Sequence, residues 1–411
     1  MTNIKYKISN IKYLIVGYLL TIVGLFFYSF TQVDLNLTLS KISILQTAEK
    51  FFQHIGYFQR PFSTYLFSGI ILSLFIFYSL IFKNIHDRKI TRKVIWFLII
   101  ATSVLLTFSY NAFSYDLFNY IFDAKIVTNY SLNPYTHKAL DFPGDPMLSF
   151  MHSTHRPYPY GPVWILSTVP LSFFGFGFFL PTFFLFKGFI AASFLGSVYF
   201  LEKILKQAKT QDSLFAVCLF ALNPLVIIES LVSAHNDIVM IFLSLWSLSL
   251  IMNRNYIRSF ILLILSIGIK FATILLLPVF IYIMVKQLRN SVIDFRKIFM
   301  AIFIIMCIAA AITSFASGVN KNAELQPWYF LIVFPFAALI AYKRLIVLLT
   351  ICVSAGMLAS YIPYLLMGEW PKDIVDLKVK LLTLSIVAGV ILYMFSSKHV
   401  LSTIKHLFSP T

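Results

Sequence analysis

The sequence is poor in charged residues. Only 12% of its 411 residues are Asp, Glu, Lys or Arg, whereas about 25% is usual in a soluble globular protein. Hydrophobic residues make up 59% of the chain, and long apolar runs occur throughout it. This composition excludes an ordinary soluble enzyme. It predicts an all-α polytopic membrane protein, because backbone polar groups inside a bilayer must be satisfied within each spanning segment.

Cysteine is scarce, and no cysteine pair has the spacing of a metal site. The three cysteines, Cys218, Cys307 and Cys352, all lie within apolar runs. A small apolar side chain in a protein core is the ordinary interpretation of such a residue. The sequence therefore favours neither a disulfide framework nor a cysteine-ligated metal.

Acidic residues are also few, since 16 Asp and Glu stand against 33 Lys and Arg and give a net charge of +17. The basic residues form short clusters between apolar runs, which is typical of cytoplasmic loops beside anionic lipid headgroups. We therefore interpret the charge as a membrane signal and expect no nucleic-acid partner. No internal repeat, low-complexity linker or soluble domain is evident, so residues 1–411 are predicted to form a single integral membrane domain.

About twelve crossings with both chain ends in the cytoplasm fit the lengths of the apolar runs and the basic clusters. A helical crossing of the bilayer needs about 20 residues. The runs predicted to cross are Tyr13 to Phe30, Pro61 to Phe82, Val94 to Phe108, Gly175 to Phe200, Ser213 to Leu231, Ile238 to Met252, two short helices within Ser259 to Ile281, Ile298 to Phe315, Tyr329 to Ala341, Leu345 to Leu366 and Leu381 to Phe395.

The stretch from Ser114 to Pro162 differs from everything around it. It contains four Asp, three His, one Arg and two Lys between apolar runs. The basic cluster from Lys83 to Lys93 fixes the preceding loop inside, so residues 111–162 are predicted to be an extracytoplasmic catalytic loop. The apolar run Val163 to Phe174 covers roughly 18 Å as a helix, too little for a hydrocarbon core of about 30 Å. We interpret that run as a re-entrant or juxtamembrane helix.

A helix predicted over Ser114 to Val127 places Asp116, Tyr120 and Asp123 on one face. The two carboxylates are then about 10 Å apart along the axis, too far to act on one atom. Asp116, at the membrane edge, is predicted to be the general base. Asp123 is expected to be structural and paired with Lys125 or Arg156. The plain alternative for either residue is an interfacial carboxylate that faces water.

Two proline-rich segments follow this predicted helix. Asn133-Pro134-Tyr135 is a turn signal, and Arg156 to Pro162 cannot be a regular helix because three prolines interrupt it. An aromatic-lined wall for a sugar or lipid headgroup is one interpretation of the second segment. A loop that only packs on the membrane surface is the alternative.

Polar residues at two later positions complete the candidate set. His235, Asn236 and Asp237 end an apolar run, where they either bind substrate or cap helices. Lys270 lies at a predicted helix break near Gly268 on the outer side, where a lone Lys is expected to find a phosphate. Lys187, inside an apolar run, is interpreted as a structural lysine that reaches towards a membrane surface.

The order of these motifs resembles a known family. Asp116 within SYDLFNY, SLNPY at Ser131 to Tyr135 and PYGPVWIL at Pro159 to Leu166 are similar to motifs of the GT-C superfamily of membrane glycosyltransferases. NPLVIIES from Asn223 with SAHND ending at Asp237, GIK ending at Lys270, and QPWYF from Gln326 extend the likeness. Together they most resemble the bacterial polyprenol-phosphate-mannose-dependent α-mannosyltransferases.

The resemblance implies transfer of a sugar, mannose by the likeness, from a polyprenyl-monophosphate donor to an extracytoplasmic glycan or glycolipid. The transfer would invert the anomeric carbon, at the outer face of the cell membrane. Many family members carry paired acidic residues where this chain has Tyr115-Asp116; a divalent metal stays open, but no ligand pattern indicates one. The residues expected to bind substrate are Tyr120, Asn133, Tyr135, Arg156, Tyr160, His235, Asn236, Asp237, Lys270, Gln326 and Trp328.

Two other functions remain open on the sequence alone. A transporter or flippase of a lipid-linked sugar also has intramembrane Lys residues and broken helices, but this chain shows no repeated halves. A surface-glycan polymerase or ligase would use a pyrophosphate-linked donor. An assay of the purified protein with a radiolabelled donor separates these functions. Transfer of the sugar supports an enzyme, and flux without transfer supports a transporter.

Overall fold

The computed structural model describes residues 2–210, 212–316 and 325–407. It is 76% helical, and the described residues contain no strand. This confirms the predicted all-α class. Both chain ends were predicted to lie in the cytoplasm. Some of the residues at these ends lie outside the described ranges.

Seventeen α-helices are assigned within the described residues. They are α1 (Thr2–Ser29), α2 (Ser43–Gln53), α3 (Arg60–His86), α4 (Arg92–Thr107), α5 (Asp116–Thr128), α6 (Pro162–Phe174), α7 (Phe179–Ala208), α8 (Ser213–Ala221), α9 (Pro224–Ile227), α10 (Asp237–Met252), α11 (Tyr256–Ile267), α12 (Leu277–Leu288), α13 (Phe295–Ala316), α14 (Phe334–Leu339), α15 (Arg344–Ala359), α16 (Ile362–Met367) and α17 (Ile374–Leu407). Single 3₁₀ or π turns occupy Phe30–Gln32, His54–Phe58, Ala139–Asp141, Pro146–Ser149, Ile228–Val232, Phe271–Leu276 and Pro327–Ile332.

Seven helical segments of the described chain are long and apolar enough to cross a membrane, or eight if the bent pair α8–α9 is one span. The prediction of about twelve crossings also counted shorter apolar helices, among them α10 and α11. At about 1.5 Å per residue, the 16 residues of α10 extend only about 24 Å. The polytopic membrane class is confirmed, and the long spans number seven or eight.

Several predicted boundaries move in the structure. The run expected to end at Phe200 continues as α7 to Ala208, because Glu202 near its end is held by Arg92 and Lys206 at 2.5 and 2.7 Å. The predicted break near Gly268 is confirmed, since α11 ends at Ile267 and a 3₁₀ turn begins at Phe271.

The stretch from Ser114 to Pro162, called the polar insert below, contains the helix and the irregular proline-rich segment that its sequence predicts. The helix expected over residues 114–127 is α5, and the Ser114 hydroxyl accepts a hydrogen bond from the Asp116 amide at 3.2 Å. The proline-rich segment remains irregular until Pro162, which begins α6 at the first helical position, where a missing amide proton costs nothing. Helix α5 packs against α6 and α7, so the insert rests directly on the helical bundle.

The core of the bundle surrounds α10, which packs against α7 and α11. The segment from residue 216 to 241 is buried without interruption. This segment includes the polar residues from Glu229 to Asp237, so a polar floor lies inside an otherwise apolar core.

Candidate active site

The polar floor is shaped by an unusual stretch of backbone. Asn223 caps α9 by accepting from the Leu225 amide at 3.0 Å, and the chain then continues into the π turn Ile228–Val232 that carries Glu229. The His235 amide donates to the Glu229 carbonyl at 3.0 Å. This arrangement turns both side chains into the same buried region.

Asp116 lies above this floor, at the first residue of α5. Its Oδ2 is 3.5 Å from Nδ1 of His235, and Nε2 of the same imidazole is 3.3 Å from Oε2 of Glu229. The Tyr361 hydroxyl donates to the other Glu229 oxygen at 2.8 Å. His235 and Glu229 are fully buried, whereas 20% of the Asp116 side chain is exposed. Of these three side chains, Asp116 is therefore the one that a substrate can reach.

Two carboxylates keep His235 protonated. Burial lowers the pKa of His235, but contacts with Asp116 and Glu229 outweigh burial and raise that pKa to about 9. Asp116 is affected in the opposite sense. Burial raises the pKa of Asp116, but the His235 cation overcomes this and, helped by Arg156 and Lys270, lowers the pKa below its ordinary value. At neutral pH the pair is a carboxylate beside an imidazolium.

Lys270 reaches the same region from the helix break between α11 and α12. Its Nζ is 2.6 Å from Oδ2 of the buried Asp237 and lies 5.6 Å from the centre of the Tyr160 ring. The expectation of a lone lysine is wrong: the break brings the ammonium group to a carboxylate at the start of α10. A charge buried in the bundle is tolerated when such a partner is present.

Close backbone packing fixes the proline-rich segment against this break. The Gly161 amide donates to the Ile269 carbonyl at 3.1 Å. A Cβ atom on Gly161 would come within 2.2 Å of the Gly268 carbonyl oxygen, so only glycine allows this approach. The wall of the insert and the lysine-bearing break thus form one unit.

Aromatic rings line the region between these charged groups. Tyr120 packs edge-to-face on Tyr160 and on Trp164, with ring centres 5.2 and 5.1 Å apart. Trp328 stacks on His235 at 4.2 Å with nearly parallel planes. The charged centre therefore has aromatic walls, which suit a sugar or lipid headgroup.

The remaining predicted residues lie at different distances from this centre. Asn133 and Tyr135 form an exposed turn, and the Tyr135 hydroxyl donates to the Tyr160 carbonyl at 3.2 Å. Gln326 accepts a hydrogen bond from Lys378 at 2.7 Å. Asn236 stands at the cap position of α10 but makes no side-chain cap bond, and its buried amide group finds no partner among the described residues. For Asn236, capping does not account for the polar side chain.

Asp123 was expected to pair with Lys125 or with Arg156. Lys125 pairs with Asp145 instead, at 2.5 Å, and Arg156 acts on Asp123 only electrostatically. Burial raises the pKa of Asp123 to about 7, although Arg156 opposes that rise. Residues two apart on a helix face different sides, which explains why Lys125 cannot form an ion pair with Asp123.

A cavity of about 390 Å³ lies across α5 from Asp116. Ile121 and Lys125 line it, and they lie roughly 140° and 180° around the helix from Asp116. Asp145, Phe150 and other residues of the insert complete its walls. This cavity is separate from the Asp116 centre.

Comparison with known proteins decides the family. The model described as alpha-(1->6)-mannopyranosyltransferase, N-terminal domain, of the MptA_B family matches residues 15–286, more than half of the chain. The chain belongs to this family. No curated protein and no solved structure gave a significant match. The predicted resemblance to GT-C type mannosyltransferases is therefore confirmed at the level of the family, and the protein is a membrane-embedded glycosyltransferase.

The family match covers Asp116 and His235 but not all of the residues around them. Asp116, His235 and Lys270 lie within the residues that match the mannopyranosyltransferase family. Trp328 and Tyr361, which contact His235 and Glu229, lie beyond residue 286. The part of the chain outside the family match thus supplies one ring and one hydroxyl to the floor.

Sequence reasoning missed two members of this arrangement and misjudged a third. Glu229 and Tyr361 could not be assigned because 132 positions separate them. Lys187 does not reach a membrane surface. It is buried, and it donates to Ser109 at 3.1 Å and to the carbonyls of Leu231 and Val232 at the end of the π turn. The polar run from Glu229 to Asp237 was the available signal for a second group near His235.

Proposed function

We propose that the protein transfers a mannosyl group from a polyprenyl-monophosphate donor to an extracytoplasmic glycan or glycolipid, with inversion at the anomeric carbon. The observation that carries this proposal is the partly exposed Asp116 carboxylate beside the buried His235 cation. Family membership supplies the mannosyl group. We infer the donor, the acceptor and the stereochemistry from the site.

Asp116 acts as the general base in this proposal. An acceptor hydroxyl oxygen attacks the anomeric carbon and forms the new C–O bond, while the bond from that carbon to the phosphate oxygen breaks. The hydroxyl proton passes to Asp116, and polyprenyl phosphate leaves with the bonding electrons. A positioned base typically contributes about 10²–10⁴-fold to such a step. His235 supports it by keeping Asp116 ionised.

Cations near Asp116 receive the phosphate. Lys270 and Arg156 both act on Asp116 electrostatically, and fixed positive groups stabilise the charge that develops on a leaving phosphate. The Asp237 carboxylate holds the Lys270 ammonium at 2.6 Å, so we assign it the positioning of that cation. The partly buried Tyr160 and Trp328 form the walls that contact the sugar. Tyr120 packs on Tyr160, and because Tyr120 and Asn236 are both buried, their binding roles stay predictions from the sequence. Binding roles for Asn133, Tyr135 and Gln326 stay predictions from the sequence.

The membrane side of the site follows from charge. Five basic residues lie between residue 83 and residue 93, around the end of α3 and the start of α4. Such a cluster is retained in the cytoplasm. Helix α4 has 16 residues and is not one of the long spans. We infer from the charge that it still leads the chain across the bilayer, so that the insert and Asp116 lie on the outer side of the cell membrane.

The test is transfer by purified protein in lipid nanodiscs. Radiolabelled polyprenyl-phosphate mannose should yield labelled product with an α linkage from a β-linked donor, and Asp116→Asn should abolish most of it. A sugar bound through pyrophosphate should be inert. Transfer from the pyrophosphate donor alone would favour a polymerase or ligase, and movement of the donor across a vesicle without transfer would favour a flippase.

A further inference from the structure

Two different groups of side chains are linked to Asp116. Lys270, Asp237 and Tyr160 form a charged set suited to a phosphate. Tyr115, the neighbour of Asp116 in the chain, begins a series of aromatic side chains. The His152 ring stacks on Tyr115 with centres 3.7 Å apart and planes 9° from parallel.

The aromatic series continues outward through the last part of the chain. Tyr115 interacts with Tyr57 and Tyr364, and the Tyr364 ring stacks on Trp370 at 4.8 Å. Trp370 is 42% exposed. We call His152, Tyr115, Tyr364 and Trp370 the aromatic strip. It ends at a large ring that a ligand can contact.

Two independent connections tie Trp370 to the floor of the site. Its ring centre is 6.3 Å from that of Tyr361, the residue that donates to Glu229. Lys378 lies 5.1 Å from the Trp370 ring centre and donates to Gln326 at 2.7 Å, two residues before Trp328. The exposed ring is therefore continuous with the groups around His235.

The loop that carries Trp370 is also held in place. Gly368 has φ of +86°, and a Cβ atom there would lie 2.4 Å from the Arg60 guanidinium carbon. Glycine adopts this φ without strain, whereas a residue with a side chain would be strained there. The fold thus presents the tryptophan at a defined place beside the strip.

We propose that the aromatic strip is a binding subsite for the sugar acceptor. This inference rests on the proposed function, since it presumes a glycosyl acceptor. The C–H bonds on one face of a pyranose carry slight positive charge and pack on the negative face of an aromatic ring. The strip begins at Tyr115, next to Asp116 in the chain, and ends at the Trp370 ring, of which 42% is exposed to a ligand. Tyr364 and Trp370 lie outside residues 15–286, so the family match does not supply this subsite.

The test compares Trp370→Ala with Trp370→Phe and with a matched control, Phe58→Ala. Phe58 is an exposed aromatic residue, at 69%, in the predicted outer segment before α3 and outside the strip. The rate of transfer from polyprenyl-phosphate mannose to synthetic octyl α-(1→6)-mannobioside is measured for each variant. Varying one substrate at a time gives the KM of the donor and the KM of the acceptor. Trp370→Ala should raise the acceptor KM about tenfold, the order expected when one central aromatic contact is lost. The donor KM should stay within about twofold, and Trp370→Phe should restore most of the acceptor affinity.

Direct binding separates failure of this inference from failure of the proposed function. Saturation-transfer NMR with methyl α-(1→6)-mannobioside needs no turnover, and its signal should be lost in Trp370→Ala and kept in Phe58→Ala. An unchanged acceptor KM and an unchanged NMR signal in Trp370→Ala would overturn the proposal. Equal losses in both alanine variants would also overturn it, because they would indicate general membrane anchoring by interfacial aromatic residues.

Discussion

Replacing Asp116 with asparagine separates a base from a structural carboxylate. Asparagine keeps the size of the side chain and its place at the start of α5, but it cannot accept the proton of an acceptor hydroxyl. We expect kcat to fall by about 10²–10⁴-fold, equivalent to about 3–5 kcal/mol of transition-state stabilisation. The donor KM should hardly change, because Lys270 and its carboxylate partner remain in place.

Asp123→Asn is the matched control on the same helix. Asp123 lies seven residues further along α5, about 10 Å away, and its pKa of about 7 means that near neutral pH half of the molecules already carry a neutral carboxyl. Asparagine resembles that neutral form. We expect less than about a threefold loss of kcat in this variant.

Single-turnover transfer from radiolabelled donor measures the chemical step for both variants. Size-exclusion profiles and thermal transitions that match the wild type would show that the proteins are folded. Near-normal turnover in Asp116→Asn would refute the assignment and direct the search for the base to Asp237. A loss in Asp123→Asn as large as that in Asp116→Asn would remove the distinction between the two carboxylates.

Three further predictions follow from the same geometry. The His235 cation lowers the pKa of Asp116, so His235→Gln should raise that pKa and move the acidic limb of the pH profile of kcat/KM to higher pH; an unmoved limb in the folded variant would show that His235 does not act on Asp116. Lys270→Met should raise the donor KM, and Lys270→Met/Asp237→Asn, which leaves no unpaired buried carboxylate, should do the same; a normal donor KM in the folded double variant would make Lys270 structural. Lys138→Cys in a cysteine-free background should react with an impermeant maleimide on whole cells, and labelling only after lysis would place the insert inside.

Local features of the fold were accessible from the sequence. The helix α5, the break after Ile267 and the start of α6 at Pro162 all follow from apolar periodicity and from the backbone limits of proline and glycine. The all-α membrane class follows from the apolar runs. The predicted crossings divide into long spans and shorter apolar helices, and α10, with 16 residues, is one of the shorter ones.

Contacts between distant residues were not accessible. Asp116 was singled out, but nothing in the sequence indicates that His235 lies 3.5 Å from it or that Tyr361 holds Glu229. Lys125 was one of two partners expected for Asp123, whereas the helix directs it to Asp145. Single sequences specify local conformation better than they specify which helix faces meet.

The hydrogen bond from Tyr361 to Glu229 has a consequence for how the protein is made. The two residues are 132 positions apart, so Glu229 enters the bilayer well before the tyrosine has been synthesised. During that interval a buried carboxylate and His235 lack the groups that later cover them. We expect the nascent chain to hold an incomplete site until α15 and α16 are inserted.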